Sequence, residues 1–185
     1  MARIFLTLAT ADALALLLAF ALGCWSKLTD GLHAPTGSVY FFHFLVGLFT
    51  AVGTLLTHSL IFTYFLGTGR WVKEVTLAYH LPDAPWHKRT RELKRLTFPP
   101  ALAAMLVPIA TAAGGAGAQL QSWPWQVHFG LAIAAVVINL WAFRLEYRNV
   151  TENAGILDAV LREVDRIRAE QGLPPNDEAL RQAAG

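Results

Sequence analysis

The chain has 185 residues, of which 55% are hydrophobic and 15% charged, with a net charge of +2 and a mean hydropathy of +0.41. Its apolar share exceeds the roughly 45–50% of a soluble domain, which excludes a nucleic-acid reader, a disulfide-stapled secreted scaffold and a large two-domain enzyme. A lone cysteine, Cys24, excludes an intramolecular disulfide and a CxxC redox pair.

A bilayer core takes about 20 apolar residues per helical span, and four such runs occur, at residues 4–25, 38–66, 98–118 and 125–147. The first resembles a signal peptide, because Arg3 precedes an apolar run ending at Cys24. Leu22 stands where a lipoprotein cleavage site prefers a small residue, and Asp12 interrupts the run; a retained helix is expected. In the third run Thr97 can cap, Pro99 and Pro100 suit a first helical turn, Pro108 should kink the helix, and Gly114, Gly115 and Gly117 should loosen its far end.

Of the fifteen Lys and Arg residues, all but Lys27 fall before the first run, between the second and third, or at and beyond the end of the fourth. Cationic loops stay on the cytoplasmic side, so both termini and the long loop should be cytoplasmic, with the turns at 28–37 and 119–124 facing outward. Trp25, Trp123 and Trp125 then mark the outer interface, and Trp71 and Trp141 the inner one. Residues 70–79 are expected to continue the second helix, and residues 87–96 to form a short basic helix against anionic headgroups. Gly67-Thr68-Gly69-Arg70 follows no strand and matches no P-loop, so it reads as a helix loosening at the membrane surface. Beyond Tyr147, Ile156, Leu157, Val160, Leu161, Val164 and Ile167 recur at helical spacing, and Gly172 before Leu173-Pro174-Pro175 should end that segment. The expected architecture is all-α: an integral membrane four-helix bundle over residues 1–150, followed over 151–185 by a cytoplasmic amphipathic helix and a flexible tail. A bacterial inner membrane is the expected location.

Ionisable side chains inside spans are functional candidates by default. His43 and His128 each lie four residues past the start of a span, about 6 Å inside it at 1.5 Å per residue, on two helices of the same direction. They can share one level and face each other across the bundle. One turn further in, Gly47 and Ala132 leave room for something flat between the helices. Thr50, Thr54 and Thr57 continue the His43 face, and Ala135 and Asn139 continue that of His128. His58 points to broadly the same side as His43. It lies at the depth of Asp12, about 12 Å from the cytoplasmic ends, so antiparallel neighbours could pair the two, with Arg144 as a competing partner for Asp12. Asp12, His58 and Asn139 therefore form a candidate proton or quinone site. His33, His80 and His87 read as solvated.

His43 and His128, with Gly47 and Ala132, resemble the ligand arrangement of small membrane b-type cytochromes, in which histidines of parallel helices in a four-helix bundle hold heme between them. The resemblance spans the second and fourth helices. It implies heme b, with His43 and His128 as axial metal ligands, and electron transfer in or beside a respiratory complex with a redox partner protein. Diheme members carry a second histidine on both helices, whereas this chain has His58 on one and nothing near Phe143 on the other. A different class also accounts for the sequence: a non-enzymatic membrane subunit or scaffold whose basic loop and amphipathic tail dock a cytoplasmic partner. Arg144, Glu146, Arg148, Asn149 and Asn153 cluster at the end of the fourth run, on the wrong helix for a four-span glutathione-type transferase. No hydrolase, zinc-protease, kinase or dinucleotide-binding motif occurs.

Overall fold

The computed structural model describes residues 1–29 and 37–178, which form four helices: α1 (Ala2–Thr29), α2 (Ser38–Ala78), α3 (Trp86–Gln119) and α4 (Trp125–Glu170). His33, Arg181 and most of the first outward turn lie outside the described residues. Each helix is long and apolar enough to cross a membrane. Neighbours in sequence pack side by side, α1 against α4 closes the ring, and α2 meets α4 across the diagonal. Large apolar side chains such as Leu18, Phe49, Leu56 and Val137 cover the outside. The interior of the bundle is comparatively polar, holding Thr54, His58, Asn139, Glu146, Asn149 and Asn153 without solvent exposure. Polar side chains thus sit inside, beside an apolar core, while apolar ones face out, a distribution compatible with a hydrocarbon solvent.

At 1.5 Å per residue the 46 residues of α4 extend about 69 Å, far beyond a hydrocarbon core of about 30 Å. The amphipathic segment expected as a separate element is thus an unbroken continuation of the fourth helix. Its apolar stripe is used: Val160 and Val164 pack with Val72 in a second small core, joined by Trp71, Val75, Tyr79, Trp86 and Leu157. The main core lies further up the bundle, around Phe5, Leu16, Ile61, Phe65, Leu93 and Phe143.

Two local expectations are corrected. Thr97 does not cap α3, which begins eleven residues earlier and carries Pro99 and Pro100 in its interior. The two prolines cancel only the bonds that would reach Arg95 and Leu96, both exposed, while Thr90, Leu93 and Thr97 are buried on one face; packing outweighs the local stop signal. Nor does α2 loosen at Gly67–Arg70, since the helix runs through to Ala78.

The helix ends obey backbone chemistry. At the end of α4 the Leu173 N–H reaches Arg168 O at 2.9 Å and the Gly172 N–H reaches Ala169 O at 3.1 Å, with Gly172 at φ +70°. This is the left-handed cap the glycine announces. The same 6→1 and 5→2 pattern closes α2 through Leu81 and His80, and α3 through Ser122 and Gln121, where His80 and Gln121 adopt φ of 53° and 55° without glycine's freedom.

Candidate functional site

Helices α2 and α4 bring His43 and His128 to one level, with ring centroids 6.1 Å apart and planes inclined by 69°. Each imidazole is anchored in the same way. His43 Nδ1 lies 3.0 Å from Ala19 O on α1, and His128 Nδ1 lies 2.9 Å from Thr111 O on α3. A carbonyl oxygen only accepts, so each Nδ1 donates its proton and each Nε2 keeps a lone pair. Neither Nε2 has a protein hydrogen bond among the described residues.

The anchoring carbonyl is followed, one turn on, by a glycine in both cases. A Cβ on Gly23 would stand 2.8 Å from His43 Cε1, and one on Gly115 would stand 3.1 Å from His128 Cε1. The hairpins α1–α2 and α3–α4 thus repeat one device, in which a carbonyl holds the ring and a glycine one turn later makes space for it. The glycines at the end of α3 serve close approach and do not loosen the helix: Gly114 faces Leu131 and the His128 backbone, and Gly117 receives the Trp123 ring. Gly47 is different, because nothing lies within 4 Å of where its Cβ would be. Ala132 is half-buried. At the same end Lys27 sits over the Trp125 ring, and Phe20 stacks on Phe129 at 5.8 Å.

The donor set discriminates among metals. No group of three or more His, Cys, Asp or Glu side chains able to hold an ion exists among the described residues, so an ion that needs three or four protein ligands is not served. A macrocycle that brings four nitrogens of its own needs two axial imidazoles and nothing more. His43 and His128, with ring centroids 6.1 Å apart, are the two imidazoles that would hold such a group.

Deeper in the bundle the polar residues pair differently from the sequence-based expectation. Asp12 and His58 do not hydrogen-bond to each other. Thr57 Oγ1 donates to Asp12 Oδ2, while His58 turns to α4, with Nδ1 2.8 Å from Glu146 Oε1 and Nε2 2.9 Å from Asn139 Oδ1. Successive helical residues diverge by about 100°, so when Thr57 faces α1 its neighbour must face elsewhere. Arg144 is exposed and does not compete for Asp12. Gly53 brings α1 close, since its Cβ would lie 2.7 Å from Asp12 Oδ1.

The His58 cradle is one face of α4: Asn139, Phe143 and Glu146 at i, i+4 and i+7. Phe143 stacks on the imidazole at 5.0 Å with planes within 10°. Asn139 Nδ2 donates to Ala135 O at 2.8 Å, which turns its oxygen toward His58 and obliges His58 Nε2 to donate. Between His58 Nδ1 and Glu146 Oε1 there is then room for a single proton, carried by either partner. Both groups are fully buried, so the pair shares that proton out of contact with solvent. Glu146 Oε2 has no hydrogen-bond partner among the described residues. One and two turns on, Asn149 Nδ2 donates to Thr97 Oγ1 at 2.9 Å, and Asn153 Nδ2 to Tyr64 Oη and Thr68 Oγ1, each at 3.1 Å. Glu146, Asn149 and Asn153, grouped by sequence with exposed Arg144 and Arg148, are therefore interior residues that knit α4 to α2 and α3.

The other two described histidines, His80 and His87, are peripheral. His80 forms the left-handed cap of α2, and His87 Nδ1 lies 2.9 Å from Asp83 Oδ1, a bond that holds the Asp83 carboxyl below the usual carboxylate range. No family model, curated protein or solved structure matches this chain, and the chemistry of its own residues therefore carries the functional reading.

Proposed function

We propose that this chain is a membrane-spanning b-type heme protein that carries electrons in or beside a respiratory complex, with His43 and His128 as axial ligands near the outer face and both termini in the cytoplasm. The observation that carries this reading is the pair of imidazoles 6.1 Å apart, each with Nδ1 committed to a backbone carbonyl. A ligating histidine characteristically donates its other ring N–H in this way, which fixes the tautomer and raises the basicity of the coordinating nitrogen. Heme, when bound, supplies reversible one-electron chemistry. The chain's own contribution is to hold two neutral imidazoles in fixed orientation, to keep the Gly47 side open, and to surround the site with apolar residues. Asp12, His58 and Asn139, joined by Glu146, serve in this reading as the proton or quinone site on the cytoplasmic side of the heme. The full burial of the His58–Glu146 pair favours a proton over a bound quinone ring.

The long terminal extension supports a second reading, a non-enzymatic subunit that docks a cytoplasmic partner. There a cleft of about 270 Å³ lies between α2 and α4, lined by Gly67, Thr68, Trp71, Leu157 and Leu161. The two readings part on colour. Protein expressed with heme supply and purified in detergent is expected to show a sharp dithionite-reduced α-band, which His43→Ala or His128→Ala abolishes while helicity stays intact. A colourless wild-type protein of full helicity would remove the heme reading and leave the docking subunit.

A further inference from the structure

Where the helices pass beyond the main core, α2 and α3 present matching faces. Leu66, Gly69, Arg70 and Lys73 on α2 and His87, Thr90, Arg91 and Lys94 on α3, each set spaced i, i+3, i+4, i+7, line a groove of about 240 Å³. The helices come together over Gly69, whose Cβ would meet Thr90 Cγ2 at 3.7 Å. Thr90 is wholly buried and its hydroxyl has no hydrogen-bond partner among the described residues, an arrangement that costs free energy unless something else bonds to it. Four basic side chains, Arg70, Lys73, Arg91 and Lys94, line the same groove as Thr90. Arg70 uses only Nε on Glu74, and Arg91 stands at 3.5 Å from Asp83. Lys73 and Lys94 form no ion pair among the described residues.

We propose that this groove binds the phosphate-bearing headgroup of an anionic lipid, gripped by Lys73, Lys94 and the Thr90 hydroxyl, with Arg70 and Arg91 at the rim. The volume lies below the roughly 300–1,000 Å³ of sites for drug-sized ligands, which suits a headgroup better than a nucleotide. Leu66, exposed at the end of the groove nearest the apolar spans, suits the start of an acyl chain. The inference is independent of heme but rests on the helices spanning a bilayer, which is read separately: retention in phosphatidylcholine vesicles through a high-salt wash reports spanning alone.

The test follows the melting temperature of the full chain in neutral-detergent micelles doped with phosphatidylglycerol or phosphatidylcholine, or supplied with inorganic phosphate. Phosphatidylglycerol is expected to stabilise at low mole fraction and phosphatidylcholine not to. Each lysine near a headgroup contributes about fivefold in affinity, so Lys73→Gln/Lys94→Gln should raise the half-saturating mole fraction about thirtyfold. Thr90→Val, which leaves charge unchanged, should raise it about tenfold. Lys88→Gln/Arg95→Gln, which removes two exposed cations outside the groove, should leave it within about twofold. Equal shifts in the two double variants, or equal stabilisation by both lipids, would overturn the proposal in favour of diffuse charge. Full stabilisation by millimolar inorganic phosphate without lipid would overturn the lipid source and assign the groove to a soluble anion.

Discussion

Glu146→Ala is expected to be among the most damaging single substitutions in the protein, lowering stability in detergent by about 3 kcal/mol. Removing one member of a buried pair leaves the other without a partner, a loss of about 3–5 kcal/mol in soluble proteins. Interhelical hydrogen bonds in membranes average nearer 0.6 kcal/mol, because the unfolded helix also finds partners there, and this pulls the expectation to the lower end. His58 Nδ1 has no substitute partner: the ring is fully buried, and its other nitrogen is taken by Asn139. Glu146→Gln should cost only about 1 kcal/mol, because the amide can donate to His58 Nδ1 in the tautomer that Asn139 enforces. Two apolar residues in place of both, as in His58→Phe/Glu146→Leu, should recover most of the loss. Thermal unfolding of the wild type and the three variants reads the series. Equal stability of the Ala and Gln variants would show that the carboxylate contributes nothing through this hydrogen bond.

The second large effect lies at the glycines beneath the histidines. Glycine to alanine in a helix ordinarily stabilises by up to about 1 kcal/mol, and Gly47→Ala should do so, since its Cβ meets nothing. At Gly23 the sign should reverse. The new methyl would lie 2.8 Å from a ring atom of His43, and the ring cannot swing away without releasing Ala19 O. Overpacking of this kind costs about 1–3 kcal/mol, and disturbing the group that orients a metal ligand lowers metal affinity by about 10–100-fold. Gly115→Ala, with 3.1 Å to His128, should show the same effect in milder form. Gly47→Leu should leave the apoprotein's fold intact and still reduce heme loading, because it fills the side on which room is expected. Heme titration beside apoprotein melting separates the cases; uniform behaviour of Gly23→Ala and Gly47→Ala in both assays would refute the ring-seat role of Gly23.

Much of this was legible in the sequence, for reasons that also explain what was not. The four apolar runs, the common level of His43 and His128, and the Gly172 stop follow from helical rise, periodicity and backbone sterics, which are local. Asp12 and His58 share a depth but not a partner, because the 100° step between Thr57 and His58 decides which neighbouring helix each one meets. Glu146 was hidden by its company, since exposed Arg144 and Arg148 suggested a surface cluster, although its spacing of seven from Asn139 with Phe143 between was the available signal. Thr97 and its two prolines carry a strong local start signal, which lost to the buried face of Thr90 and Leu93. The carbonyl-and-glycine seats at Ala19/Gly23 and Thr111/Gly115 had no sequence signal beyond an i, i+4 glycine, and only the pairing of helices reveals them.

The central claim is that His43 and His128 together ligate one heme iron, and low-temperature electron paramagnetic resonance of the oxidised, heme-loaded protein tests it most directly. Two imidazoles inclined by 69° would, if both held one iron, donate to different d orbitals and leave them nearly degenerate. The expected result is a low-spin ferric signal of the highly anisotropic kind, lost on removal of either histidine. A high-spin ferric signal, or a low-spin signal that survives His43→Ala/His128→Ala, would contradict bis-histidine ligation at this site.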